Sequence, residues 1–120
     1  MTTTLLYQRL GGADGIARLV DDAAAAYLRN PIIKTRFENI NIEHFKRMAR
    51  EFFGAGSGGP EPYTGRDMLA THKGMNISEQ EFLAVTGEIV GAMNKNKLDE
   101  GTKNDVIAIL YSLKGNIIRV

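Results

Sequence analysis

The 120-residue chain has no cysteine and no tryptophan, and only three prolines. Without a thiol there is no disulfide framework and no thiolate available to a metal. An excess of one charge is also missing. Fifteen basic residues stand against fourteen acidic ones, and no Lys/Arg run is interleaved with aromatics, so a nucleic-acid partner is not expected. No apolar run approaches the roughly 20 residues that cross a bilayer, and the opening MTTTLLYQRLGG lacks the basic start and apolar core of a signal peptide. The expectation is a soluble, cytoplasmic protein with no membrane partner. Nor is there an internal repeat, or a period-two alternation long enough to suggest a sheet. The length suits a single domain, residues 1–120, able to bury about 70% of the surface its unfolded form exposes.

What is present is helical periodicity. Ile16, Leu19, Val20, Ala23, Tyr27 and Leu28 recur at the helical spacing, after a short first helix ended by Gly11 and Gly12. Asn30-Pro31 stops that second helix, because the residue before proline is pushed out of the helical region. From Ile42 to Phe53, Phe45, Met48, Ala49, Phe52 and Phe53 form one apolar face, with Lys46, Arg47, Arg50 and Glu51 on the other. Residues 54–65 then hold five glycines and two prolines, too many breakers for a helix. Ser78 and Glu81 form a capping box that starts a helix carrying Phe82, Val85, Ile89, Val90 and Met93 and ending near residues 94–96. A last helix is expected over residues 102–120 on Val106, Ile107, Leu110, Leu113 and Ile117. The sum is an all-α domain of four main helices, in two pairs joined by turns short enough to make each pair near-antiparallel.

Between the Gly/Pro-rich loop and the capping box lies GGPEPYTGRDMLATHKGMNISEQEF, residues 58–82, with His72 in a short, loosely helical piece. Imidazole serves many purposes, and a lone histidine identifies no site by itself. The run GGPEPYTGR, its spacing to His72, Tyr7, Leu10, Gly11 and Gly12 near the start, and Phe37 in the middle together resemble the group I truncated haemoglobins. The resemblance covers nearly the whole chain without a gap. It implies a truncated globin fold, a two-over-two helical sandwich around haem, with His72 as proximal iron ligand. The implied cofactor is haem b (iron protoporphyrin IX), held noncovalently, since C-x-x-C-H attachment needs cysteine.

By periodicity alone Phe37, Phe45, Phe52, Phe53, Met68, Ile77, Phe82 and Val85 are the core of a helical bundle. The resemblance places them around haem instead. It puts Phe37 on the porphyrin, Phe45 and Ala49 on the distal helix, and Met68, Ile77, Phe82 and Val85 on the proximal side. It adds Tyr63 from the loop, with Arg66 and Lys46 toward the propionates. His44, on the charged side of its helix, is expected to be exposed or near a propionate edge.

Two departures qualify the match. Group I proteins usually place a distal tyrosine and an assisting glutamine where this chain has Ala24 and Ala49. Tyr27, nearly one turn further on, is not expected to substitute. Met48 occupies a position that carries an iron-ligating histidine or lysine in some relatives, and a thioether is itself a haem ligand in cytochromes. The resemblance therefore implies reversible binding of diatomic gases (O2, CO, NO) in an apolar distal pocket. Nitric oxide detoxification, with a reductase as partner, is an activity of the kind the family admits. The alternative is a six-coordinate His72/Met48 haem in electron transfer or sensing. A haem-free helical interaction module is the third reading.

Overall fold

The second helix organises the molecule because most of its apolar residues point one way; Leu28, read as part of that face, is the last residue but one of the helix and is exposed. In the computed structural model, which describes residues 5–120, α2 (Gly12–Arg29) buries Ile16, Leu19, Val20, Ala23, Ala24 and Tyr27. All but Ala24 join Leu10, Ile33, Ile89, Ala92, Met93 and Val106 in one core cluster. Each large aliphatic side chain removed from water there stabilises the fold by about 1.5–3 kcal/mol. Residues 1–4, which open the stretch read above as lacking a signal-peptide pattern, lie outside the described residues.

The other helices are α1 (Leu6–Arg9), α3 (Ile42–Gly56), α4 (Met68–His72), α5 (Glu79–Lys95) and α6 (Glu100–Ser112), with 3₁₀ turns at Lys34–Arg36 and Lys114–Asn116. Among the described residues there is no strand beyond an isolated parallel bridge, Ile77 to Ile118, and no helix long and apolar enough to cross a membrane. The pairs α2–α3 and α5–α6 stack through the α2–α5 contact, giving the expected two-over-two sandwich. The α5 capping box forms as read: Ser78 Oγ accepts from the Glu81 amide at 3.0 Å and Glu81 Oε1 accepts from the Ser78 amide at 3.1 Å. Asn30 is extended ahead of Pro31 and closes α2.

Three boundaries differ from the sequence reading. First, α3 continues through Gly54 and Gly56. Each helical glycine costs about 1 kcal/mol relative to alanine. Ser57 offsets that cost: its hydroxyl donates to the carbonyls of Phe53 (2.6 Å) and Gly54 (3.1 Å), and its own carbonyl accepts from the Tyr7 amide. Second, α6 begins at Glu100, capped by the Asp99 side chain, and stops at Ser112 rather than running to Val120. Leu113 and Ile117 keep helical spacing, yet the tail is used elsewhere. Val120 O accepts from the amides of Gly74 and Asn76, and the Arg119 amide donates to Ile77 O, so the chain end pins the α4–α5 junction. Third, α2 and α3 are joined by residues 30–41, including a 3₁₀ turn, and not by a short turn. Only α5–α6 has one.

Candidate functional site

Of the α3 residues only Gly54 is fully buried, and α4 buries none. Among the described residues α3 packs chiefly on α2, and α4 chiefly on the C-terminal 3₁₀ turn. Phe45, Met48, Ala49, Phe52 and Phe53 are therefore half-covered, although their spacing is that of a buried face. Met68, His72 and Val85 are half-covered as well. Half-buried aromatic and thioether side chains on two helices that do not pack together are what a flat apolar cofactor needs on its two sides.

His72, the last residue of α4, supplies the polar group. Asp67 caps that short helix, its carboxylate accepting from the Ala70 amide at 2.7 Å. His72 Nδ1 lies 2.8 Å from the carbonyl of Met68. A carbonyl only accepts, so Nδ1 carries the proton. In the neutral ring that leaves Nε2 its lone pair, with no protein partner among the described residues. A neutral imidazole oriented through Nδ1 by a backbone carbonyl is the arrangement metal-ligating histidines use.

The sequence profile of the bacterial-like globins matches residues 5–119, nearly all of the chain. This chain belongs to the bacterial-like globin family. Its relatives include the group 1 truncated hemoglobin GlbN of Mycolicibacterium paratuberculosis, 28% identical over 112 residues, covering 93% of this chain and 82% of the relative. The fold matches the Fe(III) form of the truncated hemoglobin from Tetrahymena pyriformis with a TM-score of 0.94 at 21% identity, over 98% of this chain and 100% of the other. It also matches the group II truncated hemoglobin from Bacillus anthracis, with a TM-score of 0.89 at 19% identity over 100% and 95% of the two chains. Fold alone does not separate the groups. The curated relatives bear out the group I reading, and the cofactor is haem.

The loop of this globin between α3 and α4 is tied down at both ends. Glu51 accepts from the Thr64 amide (2.8 Å) and hydroxyl (2.6 Å), and these bonds hold its carboxyl below the ordinary range. Tyr63 sets its ring edge-on to Phe52, centroids 5.7 Å apart, while its hydroxyl donates to Arg66 O at 2.6 Å. A side chain at Gly59 would strike the Tyr7 ring and the Gly54 carbonyl, and one at Gly65 would strike the Tyr63 ring. The glycines of the motif thus permit close approach.

Between α2 and α3, Tyr27 stacks on Phe37 (4.9 Å, 25°) and meets Phe45 edge-on (6.2 Å), and Phe37 meets Phe45 at 5.2 Å. The Tyr27 hydroxyl has no hydrogen-bond partner among the described residues, and burial pushes its pKa up, with the Glu88 charge adding to the effect. Ala24 is only 1% exposed, so protein already covers its methyl group. At the start of α5 Ile77 and Phe82 are buried, Phe82 edge-on to Tyr111 at 5.7 Å. Lys46 lies near Asp21 (3.5 Å) and Glu43 (4.0 Å), whereas Arg66 is exposed and has no ion pair among the described residues. His44 is exposed, as expected.

Arg36 is the neighbour that sequence reasoning missed. Its Nε and Nη2 donate to the two oxygens of Glu81 at 2.7 and 3.2 Å. The pair joins the turn that carries Phe37 to the start of α5. Glu81 was legible as a capping residue, but no local signal marks a partner 45 residues away. The Arg36 bond, with help from the Ser78 cap, lowers the Glu81 pKa to about 2 from its ordinary 4.5. Because the folded value is depressed, the stabilisation is complete above pH 4.5 and is lost as pH falls toward 2. Glu81→Gln should cost about 1–3 kcal/mol at neutral pH. It should also shrink the loss of stability between pH 4.5 and 2, as followed by urea denaturation at each pH. An unchanged acid limb would remove the pair from the account.

Proposed function

We propose that this globin binds O2, CO and NO reversibly at iron held by His72, in a distal pocket whose nearest side chains are apolar. The bond from His72 Nδ1 to the Met68 carbonyl carries the reading, because it leaves Nε2 free to bind a metal. When bound, haem supplies an iron centre that takes up a diatomic ligand. The chain does the rest. Phe37, Phe45, Phe52, Phe53, Met68 and Val85 exclude water, and Tyr63, Ile77 and Phe82 brace the walls. Arg66, exposed and without an ion pair among the described residues, is available to a propionate, and Lys46 joins it at the cost of sharing its acidic neighbours.

Ala24 and Ala49 offer no hydroxyl or amide to a polarised ligand. A charge-assisted donor of that kind contributes about 1–3 kcal/mol. Oxygen, the more polar ligand, should therefore be released unusually fast and carbon monoxide much less so. Stopped-flow and photolysis measurements of the two release rates test this. Slow oxygen release in the wild-type protein would contradict it and would point to Tyr27 as an unrecognised donor. Nitric oxide detoxification with a reductase remains an activity this fold admits, although it requires oxygen to be retained.

Met48 supports a second reading. It is half-covered on the apolar face of α3 and lies outside the core cluster, so its thioether is available to a bound haem. A His72/Met48 six-coordinate haem would serve electron transfer or sensing. Met48→Leu should leave a five-coordinate ferrous spectrum unchanged. Disappearance of a low-spin band in that variant would identify Met48 as a ligand.

A further inference from the structure

Away from α3 and α4, the helices α2 and α5 form a groove of about 180 Å³ lined by Asp22, Ala25, Ala26 and Arg29 on one side and Glu88, Gly91, Ala92 and Lys95 on the other. The helices run antiparallel there. Asp22 pairs with Lys95 at 3.2 Å, and Arg29 stands at the end where Glu88 lies. Two turns, about 10 Å, separate Asp22 from Arg29 and Glu88 from Lys95. The groove therefore carries a charge at each corner, with the signs alternating. Neither Arg29 nor Glu88 has an ion-pair partner among the described residues.

Between the corners the floor is small. Ala25 and Gly91 are exposed, and a methyl group added at Gly91, or one turn earlier at Gly87, would meet nothing within 4 Å. Glycine inside a helix is less stable than alanine, and nothing in this chain's own packing requires it at these positions. Close approach by another helix pair does require it, because side chains at the contact set the distance between helix axes.

We propose that this face is the contact between two copies of the chain. A contact of this kind is isologous, so the face must complement itself under a two-fold axis. With the axis along the groove, Arg29 meets Glu88 of the second copy and Asp22 meets Lys95. With the axis across the groove, Arg29 meets Asp22 of the second copy and Glu88 meets Lys95. The alternating corners satisfy either axis, whereas a face with both cations on one helix and both anions on the other would satisfy only one. Rim ion pairs contribute little and are screened by salt, so the association is weak, in the micromolar to millimolar range, and falls as salt rises.

Sedimentation equilibrium of the haem-loaded protein from micromolar to millimolar concentration reads this directly, with the mass rising toward twice that of the monomer. Gly91→Leu should abolish the rise while leaving the helical circular dichroism intact. Gly91→Ala should weaken association yet raise the melting temperature of dilute monomer by about 4 °C, a pairing of signs that a purely structural glycine would not give. Arg29→Glu should weaken association at least tenfold. Adding Glu88→Arg restores it if the axis runs along the groove, and adding Asp22→Lys restores it if the axis runs across. A mass that stays monomeric at millimolar protein overturns the proposal, and so does an association that neither Gly91→Leu nor Arg29→Glu weakens. An association weakened by Arg29→Glu that neither second change restores overturns it too.

Discussion

His72→Ala will lose haem at least a hundredfold more readily than the wild-type protein, a change of about 2.7 kcal/mol in affinity. The size follows from the chemistry of the two faces. The apolar side chains of α3 and α4 supply burial without direction, and the His72 imidazole supplies a nitrogen donor, its Nδ1 fixed by Met68 O. Because haem binds only the folded state, the holoprotein loses stability in proportion to the affinity lost. The apoprotein should not follow. His72 is half-buried, and its one hydrogen bond lies within a five-residue helix, so removing the ring leaves no large cavity. Haem transfer to an acceptor globin, with thermal melts of the apo and holo forms, separates the two effects. Unchanged spectra and full occupancy in the variant would show that another group holds the iron.

Ala24→Tyr will slow oxygen release about tenfold or more, equivalent to about 1.4 kcal/mol, and slow carbon monoxide release much less. The difference between the gases is the informative part, since a hydroxyl donor favours the more polar ligand while a bulky ring hinders both. The variant will also be less stable by about 1–3 kcal/mol, because a large side chain must enter a packed position. Ala24 is covered by protein, so the neighbours that cover its methyl group must move to admit the new ring. Equal slowing of both gases would mean that the ring only blocks escape. No change in either would place Ala24 away from the ligand.

The elements that could be read in the sequence are those fixed by local physics. The period-3.6 stripe of α2, the capping box at Ser78 and Glu81, and the stop at Asn30-Pro31 each depend on residues within a few positions of one another, and each formed. The limits of α3 and α6 were misread because their ends are decided at a distance. Ser57 and the Tyr7 amide extend α3 through its glycines, and the need of Gly74 and Asn76 for an acceptor draws the C-terminal tail out of the helix. The same division runs through the site. His72 stood out through its motif, but the atom that orients it is a backbone carbonyl one turn earlier. Arg36 was invisible, since an exposed-looking cation in a turn gives no sign of a carboxylate 45 residues on. By periodicity Phe45, Phe52 and Phe53 read as ordinary core and only the family resemblance placed them around haem; their incomplete covering by protein is what the structure adds.

The absorption spectrum of the ferrous protein without added ligand bears most directly on the central claim, that one haem sits between α3 and α4 with His72 as its only protein ligand. Apoprotein titrated with haem should saturate at one per chain. On reduction it should show the single broad bands of a five-coordinate, high-spin iron, with no low-spin component. Saturation at one haem with a six-coordinate, low-spin ferrous spectrum would contradict the open distal site and shift the assignment to a second protein ligand, Met48 first. A Soret band that stays that of free haem at every ratio of haem to protein would contradict the site itself.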